Sequence, residues 1–409
     1  MSAQLPSALR RLYALSPRGM RLGLERVRRA AQSLGDVHRV GPYVHVAGTN
    51  GKGSTAAFVD QMAREAGACV GLFTSPHLCR FAERMRVDGE PVDDELLASC
   101  LERALNADPD LTFFEVATLA ALLAFRERKV DLWVLEVGLG GRLDATNMVE
   151  GKAITVITRV AYDHTDRLGP TLMAIAREKA GILRPNAPCI VGRLHPDVRT
   201  VVDEVAASVG APVHEASGED EARLVELHPP SLAGLFQRSN AMIAVAVGRA
   251  LNLPERAIAE GLVSTQWPGR FEILESPDGY VVIDCAHNPD GALALKNSLI
   301  GVGAAFSRRQ VALVFGAMAD KNWRAMLDRL TPVTGPRVYV EPKGRAPARA
   351  EELVSYLDGD VALGVPEALD LARQKVGRGG LVVVAGSIFL AGQARAHLLG
   401  LPLDPPVGL

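Results

Sequence analysis

The sequence predicts an α/β protein made of two domains, each with a largely parallel sheet covered by helices. Short, continuously apolar runs alternate with helical stretches along the chain, as expected for strands that are covered on both faces of a sheet. The chain has 409 residues, which exceeds the size at which one hydrophobic core ordinarily suffices. Two domains are therefore expected.

The first series of elements occupies the N-terminal two thirds of the chain. Helical patterns at Ser54–Ala66 and Thr118–Arg128 separate apolar, β-branched runs. This βα alternation is typical of a parallel, doubly wound sheet. The candidate strands are Tyr43–Ala47, Cys69–Thr74, Leu132–Val137, Ile154–Val160 and Cys189–Val191.

A second, shorter series begins near residue 280 and predicts a smaller, Rossmann-like α/β domain. Pro268 and Gly269 punctuate the chain before it, which suits a hinge. The predicted domains are therefore residues 1–270 and 271–409. The candidate strands of the second domain are Tyr280–Cys285, Val311–Phe315, Arg337–Val340 and Leu381–Ala385.

Composition excludes several functional classes. The net charge is −2, which gives no general electrostatic reason to bind nucleic acid or an anionic membrane. No apolar run reaches the roughly 18–20 residues of a membrane span, and the N-terminus lacks the apolar core of a signal peptide. The five cysteines are scattered without a CxxC pair, as in a reduced, cytoplasmic protein.

The strongest local signal is a glycine-rich loop that joins a predicted buried strand to a helix. It reads Tyr43-Val-His-Val-Ala-Gly-Thr-Asn-Gly-Lys-Gly-Ser54. Its backbone N–H groups and the helix N-terminus favour phosphate. Lys52 can reach the β- and γ-phosphates, and the Ser54 hydroxyl can bind Mg²⁺. The loop departs from the ordinary P-loop because Val46 replaces the first glycine and Gly53 is inserted, so a glycine turn capped by Ser54 remains an alternative.

Three further residues carry chemistry at predicted strand or helix ends. Glu136 ends an apolar strand, where α/β folds bind ligands, and it could hold Mg²⁺; a plain polar strand end is the alternative. His164 follows another strand, but Mg²⁺ prefers oxygen ligands, and a lone histidine in a loop is more often structural than a ligand. Lys179 lies in a helical stretch, Met173–Ala180, where an exposed lysine is the ordinary expectation. Only eight of the basic residues are lysines, so lysine is expected where arginine cannot substitute.

The ordered set of motifs resembles the folylpolyglutamate synthase/dihydrofolate synthase branch of the Mur ligase superfamily. The glycine loop GTNGKGS is the first match, and the set runs in the family's order from residue 48 to residue 389. The resemblance implies a Mur-ligase-like P-loop ATPase domain with a parallel sheet, followed by the smaller Rossmann-like domain. The other matching stretches begin at Thr74, Leu135, Asp163, Arg177, Pro268, Asp284 and Gly386.

The resemblance also implies roles for residues around the nucleotide. Glu136 and His164 match magnesium ligands, and Lys179 matches a lysine that becomes carbamylated. Carbamylation needs a neutral amine, so burial or nearby positive charge must lower its pKa. Gln237 and Asn240 resemble positions near the adenine. They are predicted to precede a helix, so helix capping is an equal alternative for both. The implied ATP site comprises Gly48, Thr49, Asn50, Gly51, Lys52, Gly53, Ser54, Gln237, Asn240, Arg270 and Asp284.

On the acceptor side, Thr112–Glu115 and Asp144–Thr146 resemble segments that hold the pterin of dihydropteroate. A Phe114 ring can stack on a flat heterocycle, and Asp144 can accept hydrogen bonds from it; core packing is the alternative for the phenylalanines. Ser387 resembles a glutamate-pocket position. The implied substrate-binding residues are Ser75, His77, Thr112, Phe114, Asp144, Ala145, His287 and Ser387.

The resemblance implies an ATP- and Mg²⁺-dependent ligase that adds L-glutamate to dihydropteroate and to tetrahydrofolate, with Lys52, Lys179 and His164 as catalytic residues. A monomer without nucleic-acid or membrane partners is expected. A Mur-type ligase acting on another carboxylate is the alternative, although the short N-terminal segment leaves little room for a UDP-binding domain. A P-loop kinase or GTPase needs no second domain, and a non-catalytic nucleotide-binding regulator needs no Glu136, His164 and Lys179 together.

Overall fold

The computed structural model describes residues 5–404 except 20, 22, 277, 303–309 and 345. Its elements form two sheets, each covered by helices. We call the elements up to residue 264 the first-sheet unit and those from residue 272 onward the second-sheet unit. Among the described helices, none has the length and apolar character needed to cross a membrane.

The first-sheet unit contains eight strands and eleven α-helices in its described residues. Short 3-10 helices lie at Ser16–Arg18, Phe81–Arg84 and Ala145–Met148. The strands are β1 Tyr43–Ala47, β2 Val70–Phe73, β3 Met85–Val87, β4 Glu90–Pro91, β5 Leu132–Glu136, β6 Ala153–Ile157, β7 Cys189–Val191 and β8 Val213–Glu215. The helices are α1 Leu5–Tyr13, α2 Glu25–Ser33, α3 Lys52–Glu65, α4 Asp94–Ala107, α5 Phe113–Glu127, α6 Thr165–Leu168, α7 Leu172–Ala180, α8 Pro196–Val209, α9 Glu219–Leu227, α10 Leu235–Ala250 and α11 Glu255–Ser264.

The first sheet has the order β4-β3-β2-β5-β1-β6-β7-β8. Its strands are parallel except at one edge, where β3 pairs antiparallel with β2 and β4. Alternate residues of each strand face opposite layers: Tyr43 packs with α1, α2, α4 and α5, whereas Val44 packs with α3, α10 and α11. The strand β1 therefore lies at the centre, and the phosphate loop follows its carboxyl end.

The second-sheet unit has the strand order β13-β12-β11-β14-β10-β9, with β9 antiparallel to β10 and the other pairs parallel. One face packs against α12, α13 and α14, and the other packs against α15 and α16. Its strands are β9 Glu272–Ser276, β10 Gly279–Ile283, β11 Val311–Phe315, β12 Arg337–Val340, β13 Asp360–Ala362 and β14 Gly380–Ala385. Its helices are α12 Pro289–Val302, α13 Trp323–Leu330, α14 Ala350–Tyr356, α15 Val365–Val376 and α16 Ile388–Leu399, with a short 3-10 helix at Thr331–Val333.

Several sequence-based boundaries differ from the structure. The strand predicted at Ile154–Val160 ends at Ile157, and the helix predicted from Thr118 begins at Phe113. The strands β3, β4, β8, β9 and β13, at or next to the sheet edges, were not predicted from the sequence. These strands are two to five residues long, and each contains a charged residue, so the pattern of a buried strand is absent.

Candidate functional site

The phosphate loop is held by backbone and hydroxyl hydrogen bonds. Gly48 has φ 153°, and a Cβ there would lie 1.9 Å from the Thr158 Oγ1 atom. Gly51 has φ 90°, and a Cβ there would lie 2.4 Å from the Asn240 Oδ1 atom. The Thr158 hydroxyl donates to the Asn50 carbonyl at 2.8 Å. These contacts require glycine at both positions and fix the loop without the Lys52 side chain.

The helix after the loop begins at Lys52, two residues earlier than predicted, with Gly51 as its N-cap. The alternative of a turn capped by Ser54 is therefore wrong, because Ser54 lies within the first turn of the helix. Its buried hydroxyl accepts a hydrogen bond from Gln237 Nε2 at 3.3 Å.

Gln237 and Asn240 lie inside α10, which begins at Leu235 with Gly234 as its N-cap. The prediction that they precede a helix is wrong, and so is the helix-capping alternative. Asn240 Nδ2 donates to Gln237 Oε1 at 2.9 Å. The two amides thus form a buried chain that runs from the Gly51 turn to the Ser54 hydroxyl.

Glu136 lies at the end of β5, beside the phosphate loop. Its Oε1 atom is 3.9 Å from Lys52 Nζ, and its Oε2 atom accepts from the Ser75 N–H at 3.0 Å. Burial raises the pKa of Glu136, although the Lys52 charge and the Ser75 N–H oppose this effect. Lys52 also donates to the Thr49 carbonyl at 3.3 Å.

The geometry around Glu136 fits a divalent cation. A buried carboxylate whose charged form is disfavoured would be stabilised by a cation, and the Ser54 hydroxyl adds a second oxygen donor of the kind that Mg²⁺ prefers. The described residues contain no group of three or more His, Cys, Asp or Glu arranged to hold a metal. Phosphate oxygens and water would therefore have to complete the coordination.

Lys179 is buried, so the ordinary expectation of an exposed lysine is wrong. Its side chain points back from α7 to the phosphate loop, and Nζ donates to the Gly48 carbonyl at 2.9 Å. Burial and then the charge of Lys52 lower the pKa of Lys179 to about 7. A large fraction of the amine is therefore neutral at physiological pH.

His164 lies in the turn after β6, with φ 51°. Its Nε2 atom is 3.4 Å from Lys321 Nζ and 3.8 Å from Asp163 Oδ1. Burial lowers the pKa of His164 to about 4, with the Lys321 charge in the same direction and the Asp163 charge opposed. The imidazole is therefore neutral near pH 7 and retains a lone pair.

Asp284 and His287 follow β10 of the second-sheet unit, and Arg270 lies just before that unit. Asp284 is buried and accepts from the N–H groups of Phe271 and Ala286 at 2.9 and 2.8 Å. Burial raises the pKa of Asp284, although Arg270 and the two N–H groups oppose this effect. One carboxylate oxygen thus shapes the turn after β10, and the other binds the segment before β9.

His287 approaches the first-sheet unit across the cleft. Its Nδ1 atom is 2.9 Å from the Cys285 carbonyl, and its Nε2 atom is 3.6 Å from Asp163 Oδ2. The contact to the carbonyl requires a proton on Nδ1, and Nε2 lies on the side of Asp163.

A cavity of about 280 Å³ opens between the two units beside the phosphate loop. Its wall includes Gly53 and Glu136 from the phosphate side and Ser75 and His77 from the loop after β2. Trp267, Arg270, Ile388 and Arg395 belong to the wall on the side of the hinge and the second-sheet unit. Gly53 of the phosphate loop and the Glu136 carboxylate therefore face one shared cavity.

Two predicted substrate-binding residues, His77 at this cavity and Ser387 next to its wall residue Ile388, have structural partners. His77 Nδ1 accepts from Arg84 Nε at 2.9 Å, and burial lowers the pKa of His77 well below its usual value. Ser387 caps α16, since its hydroxyl accepts from the Phe389 N–H at 3.1 Å. Their predicted contacts with substrate stay predictions.

The predicted pterin residues are held in two hydrogen-bonded turns. Thr112 caps α5, and its hydroxyl donates to Glu115 Oε2 at 2.8 Å. Asp144 accepts from the Leu139 N–H at 2.9 Å and from the Thr146 hydroxyl at 2.6 Å, and it caps the 3-10 helix that contains the buried Ala145. Phe114 is half-buried and closely covers Gly138.

The sequence analysis missed several residues that bridge the units. Asn50 Nδ2 donates to Asp290 Oδ2 at 2.8 Å and to Asn288 Oδ1 at 3.2 Å. Lys321 pairs with Asp163 at 2.7 Å. Asn288 and Asp163 lie beside the predicted His287 and His164, and the scarcity of lysine could have drawn attention to Lys321.

Two family models match the chain. The Mur ligase middle domain covers residues 46–223, and the Mur ligase, glutamate ligase domain covers residues 269–388. The Escherichia coli dihydrofolate synthase/folylpolyglutamate synthase is 37% identical, with 94% of this chain and 93% of that protein covered. Escherichia coli FolC in complex with DHPP and ADP has a TM-score of 0.88 at 33% identity, with 98% of both chains covered.

A probable bifunctional folylpolyglutamate synthase/dihydropteroate synthase of Haloferax volcanii is 36% identical over 91% of this chain. This chain spans about half of that relative, namely 48% of its length. The matching motifs, the two sheets and the full-length likeness to the Escherichia coli protein agree with one another. The chain belongs to the dihydrofolate synthase/folylpolyglutamate synthase family of ATP-dependent Mur ligases.

Proposed function

We propose that this protein uses ATP to join L-glutamate to the carboxylate of a folate-type acceptor, with both dihydropteroate and tetrahydrofolate as substrates. One observation carries the proposal: Gly53 of the phosphate loop and Glu136 line the same cavity as Ser75, His77 and Arg270. A nucleotide phosphate and an acceptor carboxylate can therefore meet in one cavity. The DHPP and ADP complex of the Escherichia coli relative supports the same pairing of ligands.

The reaction has two steps. An oxygen of the acceptor carboxylate attacks the γ-phosphorus of ATP, and the bond from that phosphorus to the β–γ bridging oxygen breaks, which leaves ADP and an acyl phosphate. The glutamate amine then attacks the acyl carbon, loses a proton and expels phosphate. The protein mainly positions the reactants and balances anionic charge. Lys52 supplies a point charge, and the loop N–H groups supply hydrogen bonds.

Glu136 and Ser54 would hold Mg²⁺, and His164 is the third candidate ligand. The bound ion would neutralise charge on the phosphates. Carbamylation of Lys179 would place a carboxylate beside the Gly48 carbonyl and close to Lys52. The lowered pKa of Lys179, about 7, supports carbamylation because only the neutral amine can form a carbamate.

The position of the cavity between the two units has a chemical purpose, because an acyl phosphate hydrolyses in water and closure of the units over the site would exclude water. We propose that residues 1–270 bind ATP and the folate acceptor and that residues 271–409 bind glutamate through His287 and Ser387. Arg270, at the boundary, lines the cavity and can contact a phosphate. The expected working form is a cytoplasmic monomer.

A Mur-type ligase that acts on a different carboxylate is the second candidate. The two activities differ in the acceptor that triggers phosphate release from ATP. We expect rapid release with dihydropteroate plus glutamate and with tetrahydrofolate plus glutamate, and only background release with UDP-muramyl acceptors or with no acceptor. Release that requires a UDP-muramyl acceptor would overturn the folate assignment. Activity with only one folate would reduce the protein to a monofunctional synthase.

A further inference from the structure

The Asp163 carboxylate of the first-sheet unit lies close to three side chains of the second-sheet unit. Lys321 Nζ is 2.7 Å from its Oδ1 atom, Asn288 Nδ2 is 3.0 Å from its Oδ2 atom, and His287 Nε2 is 3.6 Å from Oδ2. The Asp163 side chain is only 9% exposed. A carboxylate this buried needs partners, and two of its hydrogen-bond donors, Lys321 and Asn288, come from the opposite unit.

The same carboxylate organises the turn that carries His164. Asp163 Oδ1 accepts from the His164 N–H at 2.9 Å. His164 adopts φ 51°, a left-handed conformation that a non-glycine residue keeps only when its surroundings favour it. The interdomain contacts at Asp163 are therefore linked to the conformation of this turn.

Lys321 is the cationic partner in this arrangement. It lies in the loop between β11 and α13, where its N–H donates to the Met318 carbonyl at 3.1 Å and its own carbonyl accepts from the Trp323 N–H at 2.8 Å. Its side chain is 12% exposed, and its Nζ atom also lies 3.4 Å from His164 Nε2. The backbone anchors thus direct a largely buried ammonium at the Asp163–His164 turn.

A second ion pair between the units provides a comparison. Arg159 Nε is 2.8 Å from Asp290 Oδ1, and Asp290 also contacts Asn50 of the phosphate loop. The Arg159 side chain is 60% exposed. This pair also joins the two units, but the side chains of Arg159 and Asp290 bond to each other and to Asn50, and not to the Asp163–His164 turn.

We propose that Lys321 is a positioning residue for the ligation reaction. By pairing with Asp163 across the cleft, it holds the turn that carries His164 in its working conformation when the two units meet. The proposal rests on the proposed function. It assigns to Lys321 a role through Asp163, and not direct contact with substrate.

The first experiment compares Lys321→Met with two matched variants. Arg159→Met removes the other interdomain ion pair, and Lys375→Met removes an exposed pair with Asp360 inside the second-sheet unit. We expect kcat to fall about 30-fold for Lys321→Met, in line with the loss of a buried charged hydrogen bond, with the KM for ATP changed less than about threefold. Both matched variants should retain kcat within about threefold. If kcat falls equally for Arg159→Met, the loss of any interdomain ion pair has the same effect, and the positioning role of Lys321 is overturned.

The second experiment is a double-mutant cycle with Asp163→Asn. If Lys321 acts through Asp163, adding Lys321→Met to Asp163→Asn should change kcat by less than about threefold, because coupled residues are not additive. If the fold-reductions in kcat of the two single variants multiply in the double variant, the proposal is overturned and Lys321 has a direct role. The same four proteins should show coupling in their melting temperatures, which do not depend on substrate. If the wild type ligates no folate acceptor, the proposed function fails, whereas absence of thermal coupling contradicts the Asp163–Lys321 linkage itself.

Discussion

The Lys52 side chain can be tested for a role in ligation apart from a role in folding. Its ammonium lies between the Thr49 carbonyl and the Glu136 carboxylate, at 3.3 and 3.9 Å. The loop that presents it is fixed by Gly48, Gly51 and the Thr158 hydroxyl, as described above. The side chain can therefore be removed without removing the contacts that shape the loop.

We predict that Lys52→Ala abolishes ligation and leaves the fold intact, as measured by phosphate release and by the melting temperature. Lys52→Arg should also fail, because a planar guanidinium does not replace a compact point charge. Turnover by Lys52→Ala at the wild-type rate under saturating ATP would contradict the phosphate-loop assignment. A large fall in melting temperature would show that the loop depends on the side chain.

We predict that Lys179 is carbamylated in the presence of bicarbonate, because burial and Lys52 lower its pKa to about 7. Carbon-13 bicarbonate should give a carbamate NMR signal that disappears in Lys179→Ala. The exposed Lys375 offers a control, since Lys375→Ala should keep the signal. A signal that survives in Lys179→Ala would assign the carbamate to another amine.

At the scale of elements, the two turns that precede the buried helical segments carry the predicted pterin residues. In both turns the polar side chain already serves the backbone: Thr112 caps α5 and Asp144 caps the 3-10 helix at Ala145–Met148. The structure thus adds a local role to each residue. Any variant at these positions must separate that role from contact with substrate.

We predict that Asp144→Ala weakens the use of dihydropteroate more than the use of tetrahydrofolate. Tetrahydrofolate is longer by one glutamate, so its pterin must bind about one residue length, roughly 3.5 Å, further out and away from Asp144. The loss of a buried hydrogen-bonded group typically costs about 1–3 kcal/mol, and kcat/KM for each acceptor measures it. Thr146→Val is the matched control, since it removes the contacts of the Thr146 hydroxyl with Asp144 and His45 and keeps the carboxylate. Equal losses of kcat/KM for both acceptors would indicate that the two pterins bind at the same position.

At the scale of the whole molecule, His45 links the central strand to the turn at Asp144. It is fully buried in β1, and its Nε2 atom is 2.8 Å from the Thr146 Oγ1 atom. Burial and then the charge of Arg184 lower the pKa of His45 to about 3. Its usual value of 6.5 applies in the unfolded chain, so the unfolded state binds the proton first as the pH falls.

We predict that the wild type loses stability as the pH falls from about 6.5 toward 3, by at most about 1.4 kcal/mol per pH unit from this group. His45→Gln should remove that part of the acid sensitivity, which thermal unfolding at several pH values would measure. His214→Gln, at an exposed histidine, should keep the wild-type slope. Identical slopes for wild type and His45→Gln would contradict a neutral His45 in the fold.

The sequence by itself determined the fold class and the phosphate loop, because both depend on local patterns. Continuous apolar runs predicted the central strands, which are buried on both faces, and the order of glycines with Lys52 predicted a phosphate-binding turn. These signals lie within a few neighbouring residues. Short strands with charged residues, such as β3 and β9, lack such a pattern, so they escaped prediction.

Only the tertiary structure decided which residues meet across long separations in sequence. The burial of Lys179, the amide chain from Asn240 to Ser54 and the pairing of Lys321 with Asp163 all depend on how distant segments pack. Asp163 and Lys321 are 158 positions apart, and no local periodicity encodes such a contact. The physical reason is that burial and charge pairing are properties of the assembled fold, whereas helix, strand and turn preferences act within short stretches of the chain.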